Sequence, residues 1–261
     1  MPAGRFVLRA LVGSVLQPGM TLALPEEIAR QARDVLRLRP GDVLTLLDGV
    51  GGVYPATVRS LSRRDVEVEL SERLEGSANP TPPLTLCLGM LKAARLEVAL
   101  QKGTELGVAA FQPLVTERAV TVAEELSASK RGRYERILAE ALEQCGGAWL
   151  PELREPLTLT AALAAIPDGA VALIPWEEAG TRPLRATLRA ELAERAPVTG
   201  VWLFVGPEGG FSPAEVAEAE ARGVWAVTLG RRILRAETAA LVAATLALEA
   251  TGSLDQGAGP A

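Results

Sequence analysis

Histidine is absent from the 261 residues of this chain, lysine occurs three times and cysteine twice. Without histidine the chain lacks the commonest metal ligand and the usual general base near neutral pH, so proton chemistry falls to Glu, Asp, Lys, Tyr, water or the substrate. Cys87 and Cys145 are 58 positions apart with no CxxC pair, which excludes a disulfide framework and a thiolate cluster. Both are expected as small core residues, and no metal is expected. Long apolar runs are missing too. The Ala-rich stretch 239–247 and the cluster 201–205 fall well short of the roughly 20 residues that span a bilayer. Residues 1–9 show no basic patch followed by an apolar core, so no secretory signal is read there and the expected compartment is the cytoplasm.

Nor is there an excess of positive charge. A net charge of −5 argues against coating nucleic acid nonspecifically. The balance is uneven along the chain: residues 1–74 carry ten Arg against nine acids, a balance of +1, and the remainder 17 basic against 23 acidic residues, −6. The first part is the better polyanion surface. With 48% hydrophobic and 23% charged residues the chain can bury a substantial core. Its length predicts two domains, at roughly 100 to 200 residues each.

Residues 25–40 place Ile28, Ala32, Val35 and Leu36 at helical spacing and stop at Pro40-Gly41, with Arg30, Arg33 and Arg37 on the other face. Segments 42–48, 53–60 and 65–71 read as short strands joined by turns, so a small barrel around one helix is expected over 1–74. EGSANPTPP, residues 75–83, is a linker by composition. Over 84–250, strand candidates at 84–89, 110–116, 171–176, 201–206 and 224–229 alternate with helices, the pattern of a parallel sheet covered on both faces. The helix over 130–144 carries a stripe of Tyr134, Ile137, Leu138, Ala141, Leu142 and Cys145. The helix over 213–222 has Ser212 as N-cap, Pro213 at its first position, Glu215 as capping-box partner and Gly223 as terminator. A closing helix over 238–250 precedes a flexible tail, 251–261.

Two segments bear the marks of ligand loops. V-G-P-E-G-G-F-S-P-A-E, residues 205–215, leaves a buried strand, turns through glycines and enters the capped helix. Glycine lets a backbone take positive φ and approach a ligand closely. The pattern is neither a P-loop nor GxGxxG, which sets aside a nucleotide-dependent oxidoreductase. L-G-R-R-I-L-R-A-E-T-A, residues 229–239, follows the next strand. Loops leaving the carboxyl ends of neighbouring parallel strands converge on one crevice, so Arg235, Glu237 and Thr238 are expected to face a shared pocket. The alternative is a plain helix N-terminus, with Glu237 near the positive dipole end and Arg235 in solvent.

These two loops resemble the signature loops of the ribosomal RNA small subunit methyltransferase E family, within the SPOUT class. Q-K-G-T-E-L-G-V (101–108), T-E-R (116–118), E-Q-C-G (143–146), Arg5-Phe6, V-L-R-L-R-P-G-D (35–42) and L-D-G (47–49) follow the family's order and spacing. The resemblance implies an α/β protein: a small N-terminal PUA-like β-barrel for RNA docking, then a SPOUT domain whose C-terminal part forms a trefoil knot. It also implies a homodimer that binds S-adenosylmethionine and methylates N3 of a uridine in 16S rRNA, in the assembled small ribosomal subunit.

On that resemblance the cofactor would be held by Val205, Gly206, Pro207, Gly209, Gly210, Leu229, Gly230, Ile233, Leu234, Glu237 and Thr238, largely through backbone groups. Glu208 would face a ribose hydroxyl, the sulfonium or Arg235. Arg118, Gln144 and Arg235 are candidates for organising the target base or nearby phosphates. Arg5, Arg9, Arg30, Arg33 and Arg37 are candidates for RNA phosphates. The chain departs from the family pattern at Gln31, where a His is usual, and at Gly147, where an Arg is usual. It departs again at P-W-E-E, 175–178, in place of a His or Glu followed by Pro-Arg or a short acidic run. A noncatalytic RNA-binding assembly factor with the same fold is the alternative reading; cofactor binding with methyl transfer separates the two.

Overall fold

A computed structural model describes residues 9–13, 16–63, 65–75, 79–119, 125–195 and 197–255. They fall into two compact units.

The first unit is built on strands β1 (Arg9–Leu11), β2 (Thr21–Ala23), β3 (Val43–Leu47), β4 (Gly52–Leu61), β5 (Val66–Leu70) and β6 (Leu74–Glu75), with helix α1 (Glu26–Arg30). The strands join in the order β1-β3-β4-β5-β2, with β6 on β4. Only the β1/β3 pair is parallel. Along β4, Tyr54, Ala56 and Val58 are buried while Val53, Pro55 and Thr57 are half-buried, the period of two of a one-sided strand. The apolar side meets Ala29 of α1, and Ala32 just beyond it. The helix ends earlier than its periodicity predicts. It continues from α1 through one wider turn, Gln31–Val35, and Arg37 then takes a positive φ of 52°. Residues 142–150 also belong to this unit: Gly51 N–H donates to Ala148 C=O, Leu150 N–H to Gly49 C=O, and Leu11 N–H to the Glu143 carboxylate, at 2.9, 2.9 and 2.8 Å.

The second unit runs β7 (Leu84–Gly89), α2 (Ala93–Leu106), β8 (Ala110–Val115), α3 (Ala128–Cys145), β9 (Glu152–Leu153), β10 (Leu157–Thr158), α4 (Leu159–Ala164), β11 (Val171–Pro175), α5 (Leu184–Glu194), β12 (Val201–Val205), α6 (Pro213–Ala221), β13 (Trp225–Val227) and α7 (Ala236–Ala250). Its strands form one sheet, β10-β8-β7-β12-β11-β13 with β9 on β8, and all pairings are parallel. Alternate residues of each strand enter different cores. Leu84, Leu86, Leu88, Leu203 and Val205 pack with α2, α3, α5 and α7, whereas Cys87, Ile174, Trp202 and Phe204 pack with α4 and α6. This two-faced burial is why these strands read as continuous apolar runs. Helix α7 closes against α2 and α5 with Ala240, Ala243, Ala244 and Ala247, whose small side chains permit close approach.

Three expectations are corrected. Cys145 is exposed, because it is the last residue of α3 and the buried stripe stops at Leu142. The closing helix starts at Ala236 with Arg235 as its N-cap, two residues before the apolar spacing predicts. Residues 251–255 form hydrogen-bonded turns on the end of α7, with Ser253 N–H donating to Leu248 C=O at 2.9 Å; residues 256–261 lie outside the described residues. Cys87 is buried, and that burial pushes its thiol far above the ordinary range, against a weaker pull from Arg154. A thiol-specific colorimetric reagent should therefore titrate Cys145 in the native protein and Cys87 only after denaturation; two thiols reacting natively at one rate would contradict this packing.

Candidate active site

Because the strands of the second unit run one way, the loops after β7, β11, β12 and β13 leave from the same edge of its sheet. A cavity of about 340 Å3 lies there. Val205, Gly206, Pro207, Glu208, Gly209, Gly210 and Phe211 form one wall, and Ile233, Leu234, Arg235 and Ala236 the other. A second cavity of about 140 Å3 adjoins it, lined by Thr228, Leu229, Gly230, Arg231 and Arg232 and sharing Pro175, Glu177, Ile233, Leu234 and Ala239 with the first. The two loops picked out from the sequence thus meet.

The first loop is held from several directions. Pro207 C=O accepts from Gly210 N–H at 2.9 Å, and Gly210 has φ 68°, a left-handed turn position that favours glycine. The capping box is present: Ser212 Oγ accepts from Glu215 N–H at 3.3 Å, and Glu215 Oε2 accepts from Ser212 N–H at 2.8 Å. Glu215 Oε1 also accepts from Glu117 N–H at 2.8 Å, tying the end of β8 to the start of α6. Beside it the exposed Arg118 donates to the carbonyls of Gly209 and Phe211 at 3.2 and 3.3 Å, so its guanidinium braces the loop.

Glu208 has a partner that sequence reading missed. Its Oε1 accepts from Arg95 Nη1 at 3.0 Å and from Lys92 N–H at 3.3 Å, in place of Arg235. Arg95 Nε stands 3.8 Å from Glu237 Oε1, so one guanidinium from the first turn of α2 serves a carboxylate on each signature loop. The second oxygens of Glu208 and Glu237 are buried without a partner among the described residues. The one available signal for Arg95 was its place just beyond the carboxyl end of a buried parallel strand.

Arg235 combines both of its readings. It is the exposed N-cap of α7, with Glu237 in the helix's first turn, yet it also lines the cavity. Thr238 is exposed and lines neither cavity. Gln144 is exposed on the last turn of α3, within the segment grouped with the first unit, and lines neither cavity. In the first unit Arg30 and Arg37 are exposed, Arg9 is half-buried beside Gly146, and Arg5 lies outside the described residues. Arg33 is engaged: it pairs with Asp34 through two nitrogens at 2.7 and 3.0 Å and donates to Arg63 C=O at 2.8 Å. That pairing raises the Arg33 pKa and lowers that of Asp34.

The cavity fits an adenosyl group in its donor set. The backbone groups of Ile233 and Leu234 make no hydrogen bond among the described residues, which leaves donors and acceptors for ring edges. A family model described as an RNA methyltransferase domain matches residues 77–248, and one described as an RNA methyltransferase PUA domain matches residues 24–71. The chain belongs to the ribosomal RNA small subunit methyltransferase E family. Proteins of that name from Synechocystis and Mycobacterium bovis are 36% and 32% identical to it, over 80% and 81% of this chain and 66% and 80% of their own lengths. A family member from Neisseria gonorrhoeae, crystallised bound to S-adenosyl methionine, superposes with a TM-score of 0.80 at 32% identity, covering 95% of this chain and 98% of that one. A Legionella pneumophila protein in complex with the bound cofactor SAM gives 0.81 at 32% identity, with the same coverage. The fold is that of the family, a PUA domain followed by a SPOUT-like methyltransferase domain. Gln31 and Gly147 line neither cavity, whereas Pro175 and Glu177 line both.

One glycine at the site was also missed. A Cβ on Gly89, the last residue of β7, would stand 2.4 Å from Pro207 N, so the first loop rests directly on that strand end. Gly89→Ala is expected to lower stability by about 1–3 kcal/mol through overpacking and to weaken cofactor binding, measurable by thermal unfolding and calorimetric titration; an unchanged variant would show that the contact is slack.

Proposed function

We propose that this chain transfers the methyl group of S-adenosylmethionine to N3 of a uridine in 16S rRNA, acting as a cytoplasmic homodimer on the assembled small ribosomal subunit. The observation that carries the reading is the meeting of the two signature loops in one cavity, in a chain similar along nearly its whole length to a family member crystallised with that cofactor. It favours the enzyme over a noncatalytic assembly factor, because the cavity is retained together with its glycine turn, its capping box and its free backbone groups. No helix of the described residues is long and apolar enough to cross a membrane.

When bound, the cofactor supplies an electrophilic methyl carbon, so that an N–C bond forms at N3 as the C–S bond breaks and the N3 proton passes to solvent. The chain's own part is positioning and electrostatics. Backbone groups of Val205, Gly206, Gly210, Leu229, Ile233 and Leu234 would hold the adenosyl portion, and Arg118 fixes the first loop beneath it. Arg235, at the rim with no side-chain partner among the described residues, offers a positive charge that favours the deprotonated base. Such a mechanism requires no histidine. Gln144, Arg9, Arg30 and Arg37 are proposed as RNA contacts, with Arg33 contributing through its remaining exposure. The family's trefoil threading is part of the proposal. It is supported by the hold of the 176–184 segment on the last strand: Trp176 N–H donates to Val227 C=O at 2.9 Å, Thr228 N–H to Arg182 C=O at 2.8 Å and Leu184 N–H to Thr228 C=O at 3.2 Å.

Nucleoside mass spectrometry of 16S rRNA from a strain lacking the gene should show loss of N3-methyluridine, restored by the wild-type chain. With purified small subunits and radiolabelled cofactor, Arg235→Ala should lower methyl transfer about a hundredfold, the scale of one lost charge-stabilising group. Cofactor binding without any transfer by the wild type would select the assembly-factor reading, and full activity in Arg235→Ala would remove that residue's role.

A further inference from the structure

The cavities are unevenly charged. Arg231 and Arg232 line the smaller and Arg235 the larger, and none has a hydrogen-bond or ion-pair partner among the described residues. The Arg95 charge is already shared between Glu208 and Glu237. Against the three free guanidiniums stands Glu177. It lines both cavities, and apart from Glu208 it is the sole acidic residue in either lining. Its Oε1 lies over Gly210, 3.4 Å from where a Cβ would stand, and no hydrogen bond or ion pair engages it among the described residues.

Its position is held by backbone. Glu177 sits in a turn in which Trp176 C=O accepts from Ala179 N–H at 3.2 Å, while Trp176 N–H is bonded to Val227 at 2.9 Å. The carboxylate is therefore presented to the cavity by a turn pinned to β13. A methyl donor with a sulfonium centre is positively charged there, and three arginines oppose its entry. After transfer the sulfur is a neutral thioether, and that opposition disappears. A carboxylate at the same wall favours the charged donor and has little to offer the neutral product.

We infer that Glu177 is the counter-charge by which this site prefers the sulfonium donor over its thioether product. The inference rests on the methyltransferase reading and deepens it, by naming the group that tells spent cofactor from fresh. It also assigns a role to the stretch where the chain leaves the family pattern.

Isothermal titration of S-adenosylmethionine and S-adenosylhomocysteine into the full chain tests it, with Glu177→Gln and, as a control, Glu178→Gln, a neighbour that lines neither cavity. Glu177→Gln should weaken the sulfonium ligand about tenfold, the scale of one hydrogen bond to a charged group, and change the thioether by less than about twofold. The control should change neither. Retained thioether binding also shows that the variant is folded. Equal losses for both ligands, or no loss for the sulfonium, would overturn the assignment of Glu177 alone. A wild-type chain that bound neither ligand would overturn the methyltransferase reading, and the inference with it.

Discussion

Parallel strand direction is the constraint on which the second unit depends. A parallel sheet cannot be closed by tight hairpins, so each strand needs a return crossing, and the returning helices cover both faces. The strands must then be apolar on both sides, as Leu86 and Cys87 of β7 or Leu203 and Phe204 of β12 are, each in a different core. The same direction gathers the carboxyl ends of β7, β11, β12 and β13 along one edge. Segments more than a hundred positions apart become neighbours there, which is how Arg95 reaches Glu208.

That contact organises the site electrostatically. Two partly buried acids share a single guanidinium, and Glu237 sits in the first turn of α7. The free arginines all lie on the second loop. Arg95 and the two acids it serves thus form one cluster, Glu177 stands apart from it on the loop after β11, and the unpaired cations lie at the rim where a polyanionic substrate would approach.

Local rules carried much of this into the sequence. Strand β7 was legible to the residue because burial on both faces makes its apolar run continuous, and helix α6 because its cap is written in side chains. What stayed hidden depends on distance. The pairing of Arg95 with Glu208 spans 113 positions and leaves no periodic trace. The attachment of residues 142–150 to the first unit rests mainly on backbone hydrogen bonds, which any residue type can make. Cys145 continued the apolar spacing of α3 but fell at the helix end, where spacing no longer implies burial. The start of α7 was misplaced because Ala236 is a small residue at the end of a loop, with no side-chain cap at Arg235 to announce the helix. Glu177 carries no periodic mark, and only the fold places it at the cavity.

The order in which the chain is made has a bearing on the cavity. One wall comes from residues 233–239, made after every strand of the parallel sheet, and it is anchored through α7 to α2, made about 130 positions earlier. A nascent chain therefore carries all seven strands of its parallel sheet while its cofactor site is still open on one side. The cavity is complete only once the closing helix has docked, so a partly synthesised chain has no complete place in which to hold a methyl donor.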